Sequence, residues 1–256
     1  MEVVEEKSSS GYGKPPWVFK GSAWYQLHLV KADKARACIP KEFKLVEAFG
    51  YTLGGFFLAS YEDSPVGVFD ELVVIAGLVW NRPTSCAWAT RVYVNNDEAC
   101  YHGRKEVGLP SQMARFSKAL LMRSMLIAVP ALGLGHWMGP TIRMSLPSFS
   151  GGTEYNPNLL KYSCKIECRV QALKPLKVSG PFPSTNEDTE QSLEDYGGSS
   201  HVAIDHQNNA QNFSTCVMLS KPILAIKFSE MKMQVEAPVV LSQCSNSLET
   251  TVTSSP

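Results

Sequence analysis

The sequence predicts a mainly β domain with a few short helices, an α+β chain whose strands form an antiparallel barrel or sandwich. Three observations predict it. Short runs rich in β-branched and aromatic residues recur along the chain, and glycine or proline separates them. Several of these runs alternate apolar and polar side chains with a period of two, as a half-buried strand does. Strong helical periodicity is scarce, so helices are left to connect strands rather than to build a layer of their own.

Taken in order, Met1–Lys14 is polar and reads as a flexible lead. Pro15–Lys20 is extended, and Trp24–Val30 alternates as a strand. Asp33–Ala37 is predicted to be a short helix closed by Ile39-Pro40, because the residue before a proline disfavours the helical region. Phe43–Ser60 is strand-rich, with Gly54-Gly55 marking a bend or bulge. Phe69–Trp80 is almost continuously apolar and reads as a buried strand; Cys86–Asn95 alternates again. Cys164–Val170, Phe213–Leu219 and Ile223–Val235 supply the later strands. Met113–Val129 places Met113, Phe116, Leu120 and Ile127 near one helical face, with Pro130 ending the helix. Pro181–Asn212 is polar and glycine-punctuated, a mobile surface loop. The Ser/Thr-rich tail, residues 242–256, is expected to be disordered, which leaves 15–241 as a single domain.

Composition excludes several function classes. Lysine plus arginine and aspartate plus glutamate number 24 each, so no net field recruits nucleic acid or an anionic membrane. The longest apolar-rich stretch, Ala119–Gly135, is broken by Arg123 and Pro130, short of the roughly 20 apolar residues of a membrane span. The opening residues match neither a secretory signal nor an arginine-rich transit peptide, so a cytoplasmic location is expected, with plastid import as the alternative. Seven scattered cysteines fit a reduced compartment better than a disulfide framework. No cofactor fingerprint or phosphate loop is present. His201, Asp205 and His206 are ligand types in a polar loop and weak as a metal site. Cys164 and Cys168 share a strand face at a spacing wrong for zinc, which leaves them as free thiols.

The informative stretch is His102–Gln112, HGRKEVGLPSQ. It resembles the GRE-x-x-G-x-P-K-K signature of the acetoacetate decarboxylase family. Pro15–Phe19, Leu29–Asp33 with Ile39-Pro40, and Gly67–Glu71 are similar to further motifs of that family in the same order. The resemblance implies the family's β-barrel, an oligomeric assembly, and a glutamate, Glu71, lining a pocket. It also implies a lysine pair after the proline, the first forming a Schiff base and the second lowering its pKa. This chain carries Ser111 and Gln112 there. A hydroxyl cannot form an imine and an amide nitrogen is not nucleophilic, so the imine route is lost.

The resemblance places Lys31 where the family has a pocket arginine; the charge is kept and the planar fork is not. Arg104 either holds a ligand carboxylate or braces its own loop. Ser111 and Gln112 either hydrogen-bond an oxygen in a vacated cavity or have relaxed into ordinary loop residues. The candidate ligand-binding set is therefore Lys31, Glu71, Arg104, Ser111 and Gln112. The expected occupant is a small apolar or terpenoid-like ligand, held with no cofactor and no metal, and with no residue assigned a catalytic role. Two activities stand open: binding without catalysis, or lyase, hydratase or isomerase chemistry on a carbonyl compound without a Schiff base. The family also leads one to expect further strands between Phe116 and Pro140 that this chain lacks.

Overall fold

The computed structural model describes residues 12–115, 139–151, 153–155, 157–175 and 216–242. Nine strands make one sheet: β1 Trp17–Lys31, β2 Tyr51–Asp63, β3 Phe69–Asn81, β4 Thr84–Val94, β5 Ser111–Met113, β6 Thr141–Gly151, β7 Leu159–Leu173, β8 Lys221–Val235 and β9 Val239–Ser242. The order runs β3-β2-β1-β8-β7-β6-β4, and β3 pairs with β4, which closes a seven-stranded barrel. β5 continues one side of β4, and β9 pairs with β7.

The predicted strands coincide with most of these elements, for visible reasons. The extended Pro15–Lys20 segment and the Trp24–Val30 strand are one strand, because β1 is paired along its length with β2 and β8. β3 is apolar on both faces because each face meets a core. Phe69 belongs to the barrel interior, while Val74, Ala76 and Val79 belong to a second core against the outer face. The short helix is α1, Ala32–Arg36, whose Ala32 and Ala35 face that outer core. Gly54-Gly55 is a place of close approach rather than a chain reversal. A Cβ on Gly55 would lie 2.0 Å from the Gln26 carbonyl oxygen, and its φ is +131°.

The barrel is the expected, mainly antiparallel one, with β4 running parallel to its neighbours β5 and β6. Two expectations are corrected. Residues 216–218 form a helical turn and not part of a strand, because Val217 and Met218 turn together into the outer core. Tyr12, assigned to the flexible lead, is buried against Trp17 and Phe19.

The predicted helix Met113–Val129 begins with a residue that belongs to β5; its residues from 116 onward lie outside the described residues, as do Pro181–Asn212 and the His201, Asp205 and His206 set. Of the tail, Ser242 closes β9 and the rest is likewise outside. The β4–β6 seam is the thinnest in the barrel, two residue pairs against eleven between β6 and β7. It joins the strands that flank the segment in which more strands were expected.

Candidate functional site

The barrel encloses a cavity of about 200 Å³, elongated along the strands from Glu71 at the start of β3 to Leu78 near its end. Inward positions at period two supply its wall: Tyr25 of β1, Phe57 and Tyr61 of β2, Val73 and Ile75 of β3, Ala87 and Ala89 of β4. Val107 and Leu109 reach in from the Gly103–Pro110 loop. The surface is mostly apolar; Tyr12, Tyr61, Tyr162 and Cys164 are the polar company of Glu71, and Ser85 and Ser148 add hydroxyls on β4 and β6. Among the lining residues there is no lysine, arginine or histidine.

Glu71 keeps some accessible surface because it borders this cavity, yet protein surrounds its carboxyl on the other sides. Burial pushes it up to about 7, against a partial opposing effect from the Tyr61 hydroxyl, which donates to Oε2 at 2.7 Å. Near neutral pH the carboxyl is thus divided between acid and carboxylate. Burial and then the charge of Glu71 hold the neighbouring phenol of Tyr12 and the thiol of Cys164 in their neutral forms, the thiol being pushed up to about 12. Tyr162 is raised by burial first and then by Cys164 and Glu71. The wall can therefore offer hydrogen-bond donors and one proton of intermediate acidity to a ligand oxygen. It offers no nucleophilic amine.

The loop that carries the resemblance is built for rigidity. Asn96 caps helix α2, Asp97–His102, by accepting from the Ala99 amide, and one π-helical turn, Gly103–Val107, follows. Gly108 ends it in the left-handed region at φ +69°, where glycine carries no steric penalty. Arg104 fastens the turn: Nε and Nη2 donate to the two carboxylate oxygens of Glu154, and Nη1 donates to the Ser111 carbonyl at 2.7 Å. The Thr153 hydroxyl donates to the Arg104 carbonyl at 3.0 Å. Every polar atom of this guanidinium contact serves the chain, and the sequence-adjacent acids Asp97 and Glu98 are not its partners.

The structure brings the five sequence-predicted residues together only in part. Glu71 lines the cavity. Arg104 and Ser111 meet each other at the loop, and neither lines the cavity. Ser111 is buried, with its inward register set by Val92, and its Oγ has no hydrogen-bond partner among the described residues. Gln112 pairs with Tyr93 and is half-buried, also outside the cavity wall. Lys31 is exposed at the far end of β1, at the start of α1.

Sequence reasoning missed Tyr12, Tyr61 and Tyr162, which supply the polar company of Glu71. For Tyr61 a signal existed, since it shares the period-two face of Phe57; for Tyr12 there was none. Cys164 and Cys168 are free thiols, as expected of them, and Cys164 lines the cavity. His28 is a satisfied structural histidine: its Nδ1–H donates to the Val217 carbonyl at 3.1 Å while Gln26 Nε2 donates to Nε2. Among the described residues no cluster of three metal-ligand side chains occurs.

A closed seven-stranded barrel of this topology has the acetoacetate decarboxylase fold. Two solved structures share it: an acetoacetate decarboxylase from Legionella pneumophila, TM-score 0.52 at 11% identity over 91% of this chain and 89% of that one, and an acetoacetate decarboxylase-like enzyme from Sphingomonas wittichii, TM-score 0.52 at 9% identity over 95% and 100%. No protein-family model matches the sequence.

Sequence similarity is far higher to proteins named Neoxanthin-deficient 1. The chain is 54% identical to that of Solanum lycopersicum, covering 96% of this chain and 99% of the relative. It is 53% identical to that of Arabidopsis thaliana over 94% and 99%. The chain belongs to the Neoxanthin-deficient 1 family. The 293 aligned positions exceed the chain's 256 residues, so the tomato relative carries residues with no counterpart here.

Proposed function

We propose that this chain binds a small, mostly apolar, oxygen-bearing molecule inside the barrel and has lost the imine chemistry of its fold. Through that binding it supports neoxanthin formation, and abscisic acid formation with it, without itself transforming the carotenoid. The observation that carries the reading is the cavity wall: one carboxyl poised near neutrality, a ring of phenols, apolar side chains, and no amine among the lining residues.

Size supports an indirect role. Cavities that take up drug-sized molecules run from about 300 to 1,000 Å³, and this one measures about 200 Å³. A long carotenoid polyene does not fit inside; a small molecule, or one end of a longer one, does. Glu71 and Tyr61 together anchor a single ligand oxygen, the acid form donating and the carboxylate form accepting.

The Glu71–Tyr61 pair also favours a second reading, acid–base catalysis on a carbonyl compound by a lyase, hydratase or isomerase route. A group with its pKa near the working pH is suited to proton transfer. In that case Glu71→Gln abolishes turnover while the barrel stays folded.

Borohydride reduction in the presence of a β-keto acid tests the first reading. Mass spectrometry of the treated protein is expected to find no stoichiometric adduct. A reduced adduct on one specific lysine overturns it.

A further inference from the structure

The end of the barrel opposite Glu71 is unlike the rest of the surface. It is made by the end of β1, the start of β2, the end of β3 and the start of β8, which the register places side by side: Tyr51 pairs with Lys31, Leu53 with Leu29, and Leu29 with Lys221. Among the described residues, large apolar side chains stand exposed at this end: Tyr51 on β2, Trp80 on β3, Ile223 on β8, and Phe49 and Leu219 in the segments leading into β2 and β8.

Phe49 is the extreme case. It is 101% exposed and occupies the first position of a two-residue turn closed by reciprocal hydrogen bonds between Ala48 and Tyr51, both 2.9 Å. Its φ is +53° and that of Gly50 is +77°, the left-handed pair of a type I′ turn. That position favours asparagine, aspartate or glycine, and a bulky aromatic there is strained with no contact to compensate. The turn is nonetheless held firmly, since the Ala32 amide of α1 donates to the Gly50 carbonyl at 2.9 Å. A rigid loop therefore presents a strained aromatic ring to the outside.

The charges around it have one dominant sign. Lys31, Lys34, Lys41, Lys44, Arg82 and Lys221 are exposed on this end and make no ion pair among the described residues; Lys44 is tied beside Trp80 by its carbonyl, which accepts from the Trp80 amide. Among the described residues, Asp33 and Glu42 oppose them, and Glu47 is already paired with Arg36. The other end, where β2 and β4 finish, carries exposed charges of both signs, Glu62, Asp97 and Glu98 with Lys105 and Arg115.

We propose that this basic end docks on an anionic lipid surface, with Phe49 inserting among the acyl chains and Tyr51 and Trp80 seated at the headgroup level. Tryptophan and tyrosine suit the membrane interface, where one end of the ring is apolar and the other wet. Lysines and arginine gain from the negative surface potential of an anionic leaflet. A bilayer suits this surface because exposed aromatic rings and lysines without an ion pair among the described residues stand together on it. The inference does not depend on what the cavity holds.

Co-sedimentation of the full chain with vesicles tests it, using phosphatidylcholine alone and an equimolar mixture with phosphatidylglycerol. The chain is expected to bind the mixed vesicles and to be released by high salt. Phe49→Asn creates the Asn-Gly pair that the turn prefers, so its Tm is expected to stay level or rise. Its vesicle affinity is expected to fall about tenfold or more, as loss of one buried aromatic ring requires. Lys31→Glu with Lys221→Glu is expected to remove the preference for the anionic mixture. The proposal is overturned if the unaltered chain binds neither vesicle, or if Phe49→Asn binds as well as it does. It is equally overturned if the substitution instead converts a dimer to a monomer in sedimentation velocity, which would make a second copy the occupant.

Discussion

Two walls of one barrel have taken different courses. On β2 and β3, Tyr61 and Glu71 keep a polar pair facing an apolar cavity, with a carboxyl held near neutrality by burial. At the loop leading into β5, whose first two residues stand where the family resemblance expects lysines, the polar groups serve the chain: Arg104 is held by Glu154 and the Ser111 carbonyl, and among the described residues the Ser111 hydroxyl has no polar partner. The difference teaches that the loop's shape is held by its own contacts, because its arginine and its left-handed glycine serve the backbone. The cavity wall keeps a chemical property that shape alone does not require. Stability on the cavity side should therefore depend on pH, and on the loop side it should not.

The largest expected effect comes from Glu71→Gln. Its carboxyl is raised in the folded state from 4.5 to about 7, so burying it costs nothing below the unfolded value. The cost grows as pH rises between the two values and is complete above the folded one. Removing the charge should therefore leave stability unchanged in acid and raise it at pH 8, by at most about 3 kcal/mol on the scale of 1.36 kcal/mol per pKa unit. Urea unfolding at the two pH values measures it; an equal effect at both pH values would erase the contrast between the walls.

Arg104→Met comes next. It removes charged donors from the Ser111 carbonyl and from Glu154, and should cost about 2 kcal/mol, the scale of hydrogen bonds to charged groups. The loss should be the same at pH 5 and pH 8 because neither the guanidinium nor the carbonyl titrates there. Arg104→Lys should restore only part of it, since a lysine lacks the fork that reaches both partners.

Tyr61→Phe keeps the ring among Phe19 and Phe69 and deletes the hydroxyl that donates to Glu71. A loss of about 1 kcal/mol is expected at pH 8, where the carboxylate needs that donor, and less at pH 5. The smallest effect belongs to Ser111→Ala. Its hydroxyl is buried without a partner among the described residues, so thermal unfolding should fall within about 0.5 kcal/mol of the unaltered chain or slightly above it. A large loss would mean that this hydroxyl has a polar contact after all.

These contrasts follow what could and could not be read from the sequence. β3 was legible because two apolar faces leave a nearly continuous apolar run, and β1 because its outer and inner faces alternate. Residues 213–219 carried similar residues and misled, since Val217 and Met218 reach the outer core from a turn as readily as from a strand. The parallel β4–β6 seam has no local signature, because it depends on what lies between those strands. Glu71 was placed in the cavity by a family motif, not by its neighbours along the chain. The fate of Arg104 rested on Glu154, fifty residues away in the chain, and no spacing rule reaches that far. Likewise Ser111 stands where the resemblance expects a lysine, and nothing beside it in the chain indicated that its hydroxyl would be buried.

A carbon-13 titration of the Glu71 carboxyl most directly tests whether this chamber's chemistry rests on an acid held near neutrality. The account predicts a midpoint near 7 that moves higher in Tyr61→Phe, where the carboxylate loses its donor. A midpoint at the ordinary glutamate value, unchanged by Tyr61→Phe, would contradict it.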